Sequence, residues 1–153
     1  MIFHSEQELA TFAENLGKAI KPPLVFELVG DVGAGKTTFT KALAKGLGIK
    51  EPVTSPSFTI SNRYYWSAGA SCASDREATP VDNFTLIHYD FYRLEDAGIM
   101  RAELEEALND SRAIIVLEWA DSVKNILPKD HIKITFKILP DGSRDLEIKG
   151  LQK

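Results

Sequence analysis

The chain has 153 residues, 44% of them hydrophobic: enough for one domain with its own core, too few for a second catalytic domain. Eighteen basic against 22 acidic residues give a net charge of −4, which argues against a domain gripping nucleic acid over a broad basic surface. The single cysteine, Cys72, excludes an internal disulfide and sits in a run of small polar residues where no role is expected. The start, MIFHSEQELA, lacks the basic region and apolar stretch of a signal peptide, and no apolar run reaches membrane-spanning length, so a cytoplasmic protein is expected.

In chain order, Ser5 with Glu8 three residues on is a capping box. It precedes Leu9, Phe12, Ala13, Leu16, Ala19 and Ile20 at helical spacing. Pro22 and Pro23 stop that helix. LVFELV (Leu24–Val29) is apolar and of strand length, as a buried central strand is. A glycine-rich loop follows, then a helix over Thr38–Leu47 with Gly48 as its C-cap. SFTISNRYY alternates Phe58, Ile60, Asn62 and Tyr64 on one face and predicts a partly exposed strand. Residues 66–83 are polar and rich in Ser, Ala and Gly, a flexible surface loop by composition.

Phe84–Asp90 is a further strand, and RAELEEALND a helix whose Glu103, Glu105 and Glu106 form a solvated face. AIIVLEW (Ala113–Trp119) is the second strongly apolar strand, and ADSVKNIL a short helix stopped by Pro128. HIKITFKIL alternates with period two, and Pro140-Asp141-Gly142 turns the chain into RDLEIKG, completing a hairpin. Strands alternating with helices imply a single α/β domain over residues 1–153. Its sheet should be parallel at the centre, with antiparallel strands from the C-terminal hairpin.

GDVGAGKT at Gly30–Thr37 is the full Walker-A pattern, G-x4-G-K-[ST], with a strand before it and a helix after it. Glycines let backbone N–H groups turn inward and phosphate oxygens approach without a clashing side chain. The helix that follows adds its positive end. Lys36 supplies a point charge for the β- and γ-phosphates, and the Thr37 hydroxyl is placed to ligate Mg²⁺. Thr38 either touches the α-phosphate or is a polar residue of the first helical turn. These features predict a P-loop NTPase three-layer sandwich that binds ATP. GTPases read guanine with an Asn-Lys-x-Asp element, and no such string occurs here, so ATP is favoured over GTP.

Two acidic residues compete for the metal. Glu118 and Asp90 each end a strand, where open α/β sheets present ligands. Either serves the Mg²⁺, directly or through water, while the other orients the attacking water. His88, between apolar residues, reads as a structural hydrogen-bonding group more than a proton carrier. Tyr89, Phe91 and Tyr92 read as packing, Trp119 equally as packing or as a nucleotide contact, and Arg93 as a phosphate or carboxylate partner.

GDVGAGKTT (Gly30–Thr38), VTSPSFTI (Val53–Ile60), LIHYDFYRL (Leu86–Leu94) and LEWADSV (Leu117–Val123) occur in the order and spacing typical of TsaE (YjeE) proteins, and the chain resembles that family over nearly its whole length. The resemblance implies a bacterial P-loop ATPase that supports synthesis of threonylcarbamoyladenosine in tRNA. Such a protein hydrolyses ATP while bound to the TsaD–TsaB heterodimer, the transferase, and reaches tRNA only through that complex. By resemblance Val32, Gly33, Ala34, Gly35, Lys36 and Thr37 would cradle the triphosphate, with Thr38 and Arg144 also near the nucleotide. Thr37 and Glu118 would be the metal-linked groups. Asp90 would join Lys36 and Glu118 in catalysis, and Ser55-Pro56-Ser57 would form a switch-like loop. This chain departs from the family in having Ala13 and Ser57 where Thr is frequent, and a longer 66–82 connection. The competing expectations are a small-molecule or nucleoside kinase, whose arginine-rich lid is not evident with Arg76 alone in the insertion, and a nucleotide-gated binding module.

Overall fold

The computed structural model describes residues 1–56, 59–67, 83–92, 94 and 98–151. Cys72, Arg76, Arg93, Ser57, Phe58 and most of the 66–83 loop lie outside the described residues. The elements are β1 (Ile2–Phe3), α1 (Glu6–Ala19), β2 (Leu24–Val29), α2 (Lys36–Leu47), β3 (Ser61–Ser67), β4 (Asn83–Asp90), α3 (Gly98–Leu108), β5 (Ala113–Glu118), a 3-10 helix (Ala120–Ile126), β6 (Ile132–Ile138) and β7 (Arg144–Lys149). They build a seven-stranded sheet in the order β1-β7-β6-β2-β5-β4-β3. The four central strands β6, β2, β5 and β4 run parallel, and antiparallel strands flank them on both sides. The C-terminal hairpin supplies one antiparallel flank as expected. The other, β3 against β4, carries no hairpin signal in the sequence because residues 68–82 separate the two strands.

Along β5 all six residues are buried, with Ile114 and Val116 facing one layer and Ile115 and Leu117 the other. Alternation on a strand enclosed from both sides makes two cores. In one, α1 and α2 bring Leu9, Ala13, Phe39 and Leu43 against Phe26, Leu28, Ile134 and Phe136. In the other, α3 and the 3-10 helix bring Leu104, Ala107 and Val123 against Ile87, Tyr89, Ile115 and Leu117. The result is the expected three-layer α/β sandwich.

Local chemistry sets the helix ends. Ser5 Oγ accepts the Glu8 N–H at 3.1 Å, but the Glu8 carboxylate accepts from His4 N–H at 2.8 Å, one residue before the capping-box partner. Helix α2 begins at Lys36, two residues before the expected start, and ends on Gly48 in the left-handed conformation, φ +89°. Ala120–Ile126 is 3-10 rather than α-helical. Strand β3 starts at Ser61: Ile60 has φ +69° and its N–H bonds Pro56 O at 2.7 Å, so Thr59 and Ile60 form a turn rather than part of the expected strand. Nor is Glu103 simply solvated, because it accepts from Ser61 Oγ, Arg63 and the Tyr89 hydroxyl, tying α3 to the β3–β4 edge. Burial, reinforced by Glu103, pushes the Tyr89 hydroxyl well above the usual tyrosine range. Among the described residues no helix is long and apolar enough to cross a membrane.

Candidate active site

The parallel strands β2, β5 and β4 lie side by side, so the loop after β2 and the last residues of β5 and β4 meet at one sheet edge. Glu118 and Asp90 are register partners there, and Leu28 of β2 is the other neighbour of Glu118. Even-numbered positions of β4 and β5 face the α2 layer. Leu86, Ile114 and Val116 enter that core, and His88, Asp90 and Glu118 continue the same face toward the cleft. A cleft of ≈ 440 Å³ opens between this edge and the glycine-rich loop.

Gly33 and Gly35 have φ +82° and +107°, conformations that side chains rarely adopt. A Cβ on Gly35 would also sit 2.8 Å from Leu9 Cδ2. Gly35 therefore caps α2 without a side-chain hydrogen bond of its own to the first-turn N–H groups. Anions favour such an end.

Lys36 leans back from the helix into the loop. Its Nζ donates to Gly30 O at 2.7 Å and Asp31 O at 2.9 Å, and lies 4.9 Å from the Trp119 ring centroid and 4.0 Å from Glu118 Oε2. Both charged side chains are 5% exposed. Glu118 Oε1 lies 2.9 Å from Nε2 of His88, which is wholly buried. Asp90 is less enclosed, and its Oδ1 accepts the Tyr92 N–H at 3.0 Å.

Gly33, Gly35, Lys36, Thr37, Thr38, Asp90, Glu118 and Arg144 all reach the cleft, as does Val32, 72% exposed at the loop tip. Ala34 does not. Its methyl is buried in the core and its N–H is taken by Asp31 O at 3.1 Å, because the turn that raises Gly33 points residue 34 inward. Arg144 comes from the start of β7, with Nε buried and without a hydrogen-bond partner among the described residues, 3.4 Å from where a Gly35 Cβ would be. Ala13 is buried between α1 and the sheet, away from the cleft. Ser55 lines the cleft.

Among the cleft residues, Tyr92 and Glu6 lie beyond the sequence expectations, and Trp119, open there between packing and nucleotide contact, takes the cleft position. Tyr92 is 56% exposed and faces the cleft with its ring 4.8 Å from Trp119, so it packs at the cleft edge rather than in the core. Trp119 reaches the same place because φ +58° turns the chain sharply after β5. Glu6, in the first turn of α1, accepts the Thr38 hydroxyl at 2.6 Å. An acidic residue at a helix start is so common that its pattern carries no signal of the cleft.

The sequence profile of the family described as threonylcarbamoyl adenosine biosynthesis protein TsaE matches residues 3–146. The chain belongs to the TsaE family. Relatives bearing the name tRNA threonylcarbamoyladenosine biosynthesis protein TsaE include one from Treponema pallidum, 32% identical, with 96% of this chain and 97% of that one aligned. Another, from Bacillus subtilis, is 34% identical over 92% of this chain and 78% of its own. The crystal structure of Bacillus subtilis YdiB superposes with TM-score 0.70 at 30% identity, covering 95% of this chain and 80% of that one. The Walker-A loop, Asp90 and the Glu118-Trp119 pair converge on one cleft although 82 positions separate Lys36 from Glu118 (118 − 36).

Proposed function

We propose that this TsaE-family protein binds ATP with Mg²⁺ in the loop cleft and hydrolyses it, slowly when alone. It does so in the service of tRNA threonylcarbamoyladenosine synthesis in the cytoplasm, through a TsaD–TsaB complex. The observation that carries this reading is the convergence of the Lys36 ammonium with the Glu118 and Asp90 carboxylates across one cleft beside the uncapped start of α2.

The residues present fit both groups. Arg144 Nε is a buried donor beside the loop without a partner among the described residues, and Lys36 rests on loop carbonyls that a phosphate oxygen would outcompete as a charged acceptor. Thr37 and Glu118 supply the oxygen ligands that Mg²⁺ takes, and the ion, when bound, would offset phosphate charge. Lys36 would hold the β- and γ-phosphates, Arg144 would add a second cation, and the first-turn N–H groups of α2 would complete the cradle. Asp90 would orient the water and draw its proton, since its carboxylate faces the cleft and its backbone is fixed by Ile60 O at 2.9 Å. The tRNA would be reached indirectly, consistent with the net charge of −4.

ATP turnover measured alone and with purified TsaD–TsaB tests the reading. Turnover that rises with the pair and falls roughly 10- to 150-fold in Lys36→Ala is expected. Undetectable ATP binding, or turnover indifferent to both changes, overturns it.

A further inference from the structure

His88 has no exposed surface, its Nε2 is 2.9 Å from Glu118 Oε1, and its Nδ1 is buried with no hydrogen-bond partner among the described residues. A neutral imidazole has one N–H to place. On Nε2 it donates to the carboxylate. On Nδ1 it would bury an unpaired donor and leave a lone pair facing carboxylate oxygen. The surroundings therefore select the Nε2–H form, and His88 donates to Oε1.

The other oxygen, Oε2, stands 4.0 Å from Lys36 Nζ. That is attraction without a hydrogen bond. The ammonium instead uses Gly30 O, Asp31 O and the Trp119 face. Two buried opposite charges this close attract strongly, and a small swing of the Glu118 side chain would join them directly. The bond to His88 opposes that swing. We infer that His88 is a positioning residue: its Nε2–H anchors Glu118 and keeps the carboxylate from closing onto Lys36, so that the ammonium remains available to a phosphate. The inference rests on the reading of this cleft as a nucleotide site.

Calorimetric titration with ATP in EDTA, so that metal ligation plays no part, tests the anchor. His88→Leu is expected to weaken ATP binding roughly 10-fold, because Glu118 then neutralises Lys36. In a Glu118→Gln background the same change should have an effect of less than about 2-fold, since a neutral amide does not capture the lysine. His88→Gln, which places an amide N–H near the Nε2 position, should retain nearly parental affinity. If the leucine variant does not fold, His88→Asn serves as the loss variant, its shorter amide falling short of Oε1. An equal loss in both backgrounds shows a merely structural histidine, no loss in either shows an idle contact, and each overturns the inference. Nitrogen NMR of the free protein adds an independent check: an Nδ1–H tautomer overturns the anchor and leaves the nucleotide reading intact. Parent protein that binds no ATP overturns both.

Discussion

Glu27 and Glu118 are both buried carboxylates on the central sheet, each beside one lysine and one histidine, yet they are wired differently. Glu27 Oε2 lies 3.0 Å from Lys133 Nζ and 3.2 Å from His131 Nε2, and Lys133 is its register partner on β6. Glu118 gives one oxygen to His88 and holds the other 4.0 Å from Lys36. The first cluster is closed: its charges are spent on one another, and it clasps β2 to β6. The second is left open at the end of the sheet, where the lysine and the carboxylate face the same cleft. Burial alone does not mark a functional carboxylate; an opposite charge nearby but unjoined is the more telling sign.

Asp90, a third carboxylate, makes no ion pair among the described residues, and in the proposed function it serves chemistry rather than binding. Asp90→Asn should lower ATP hydrolysis by about 100-fold or more while changing ATP affinity less than about 3-fold. Parallel losses in both would move Asp90 into the binding set. Lys36→Ala comes next: one charge-assisted contact of about 1.5–3 kcal/mol is removed, so ATP affinity or turnover should fall roughly 10- to 150-fold. The thermal midpoint should hardly move, and a folded variant with parental binding would close the distinction between the open and closed clusters.

The complementary change is Glu27→Gln. It should lower stability by about 1–2 kcal/mol, a figure discounted because Lys133 is partly exposed, and so lower Tm by roughly 2–8 °C. Nucleotide binding should stay parental. Thermal unfolding beside an ATP titration decides it, since a binding defect without a stability loss would mean that the two clusters had been assigned the wrong way round.

Much of this was legible from residues alone because it rests on local signals. The glycine-lysine-threonine run, the apolar stretches of β2 and β5, and Gly48 at the end of α2 each declare themselves within a short window. Glu27 shows where that limit lies. LVFELV reads as an apolar strand, and the buried charge inside it makes sense only once β6 brings His131 and Lys133 alongside. The same holds for Glu6 and Tyr92, which enter the cleft through a helix start and a bend that no periodicity encodes. Ile60 is the opposite failure: its spacing fits a strand, but a positive φ, and the hydrogen bond of its N–H to Pro56 O, make it a turn.

The smallest expected effect extends the comparison to the surface. Glu14 of α1 lies 2.8 Å from Lys18 on its own helix and 2.8 Å from Lys45 on α2, a closed cluster in contact with water. The two helices approach closely there because Gly17 and Gly46 leave no room for a Cβ against the facing backbone. Hydrogen bonds from Lys18 and then Lys45 hold the Glu14 carboxyl down at about 2, below its ordinary 4.5. The unfolded chain therefore takes up a proton before the folded one does, and this contribution to stability is complete above the ordinary value and lost as pH falls through about 2. Glu14→Gln should flatten the pH dependence of unfolding within that window, and the gap between parent and variant should narrow in about 1 M salt, where exposed charges are screened. Chemical unfolding followed from neutral to acid pH measures it. A gap that stays constant down to the lowest pH would show that the carboxylate is not paired in solution, and that the α1–α2 contact depends on its close glycine approach and apolar core rather than on this ion pair.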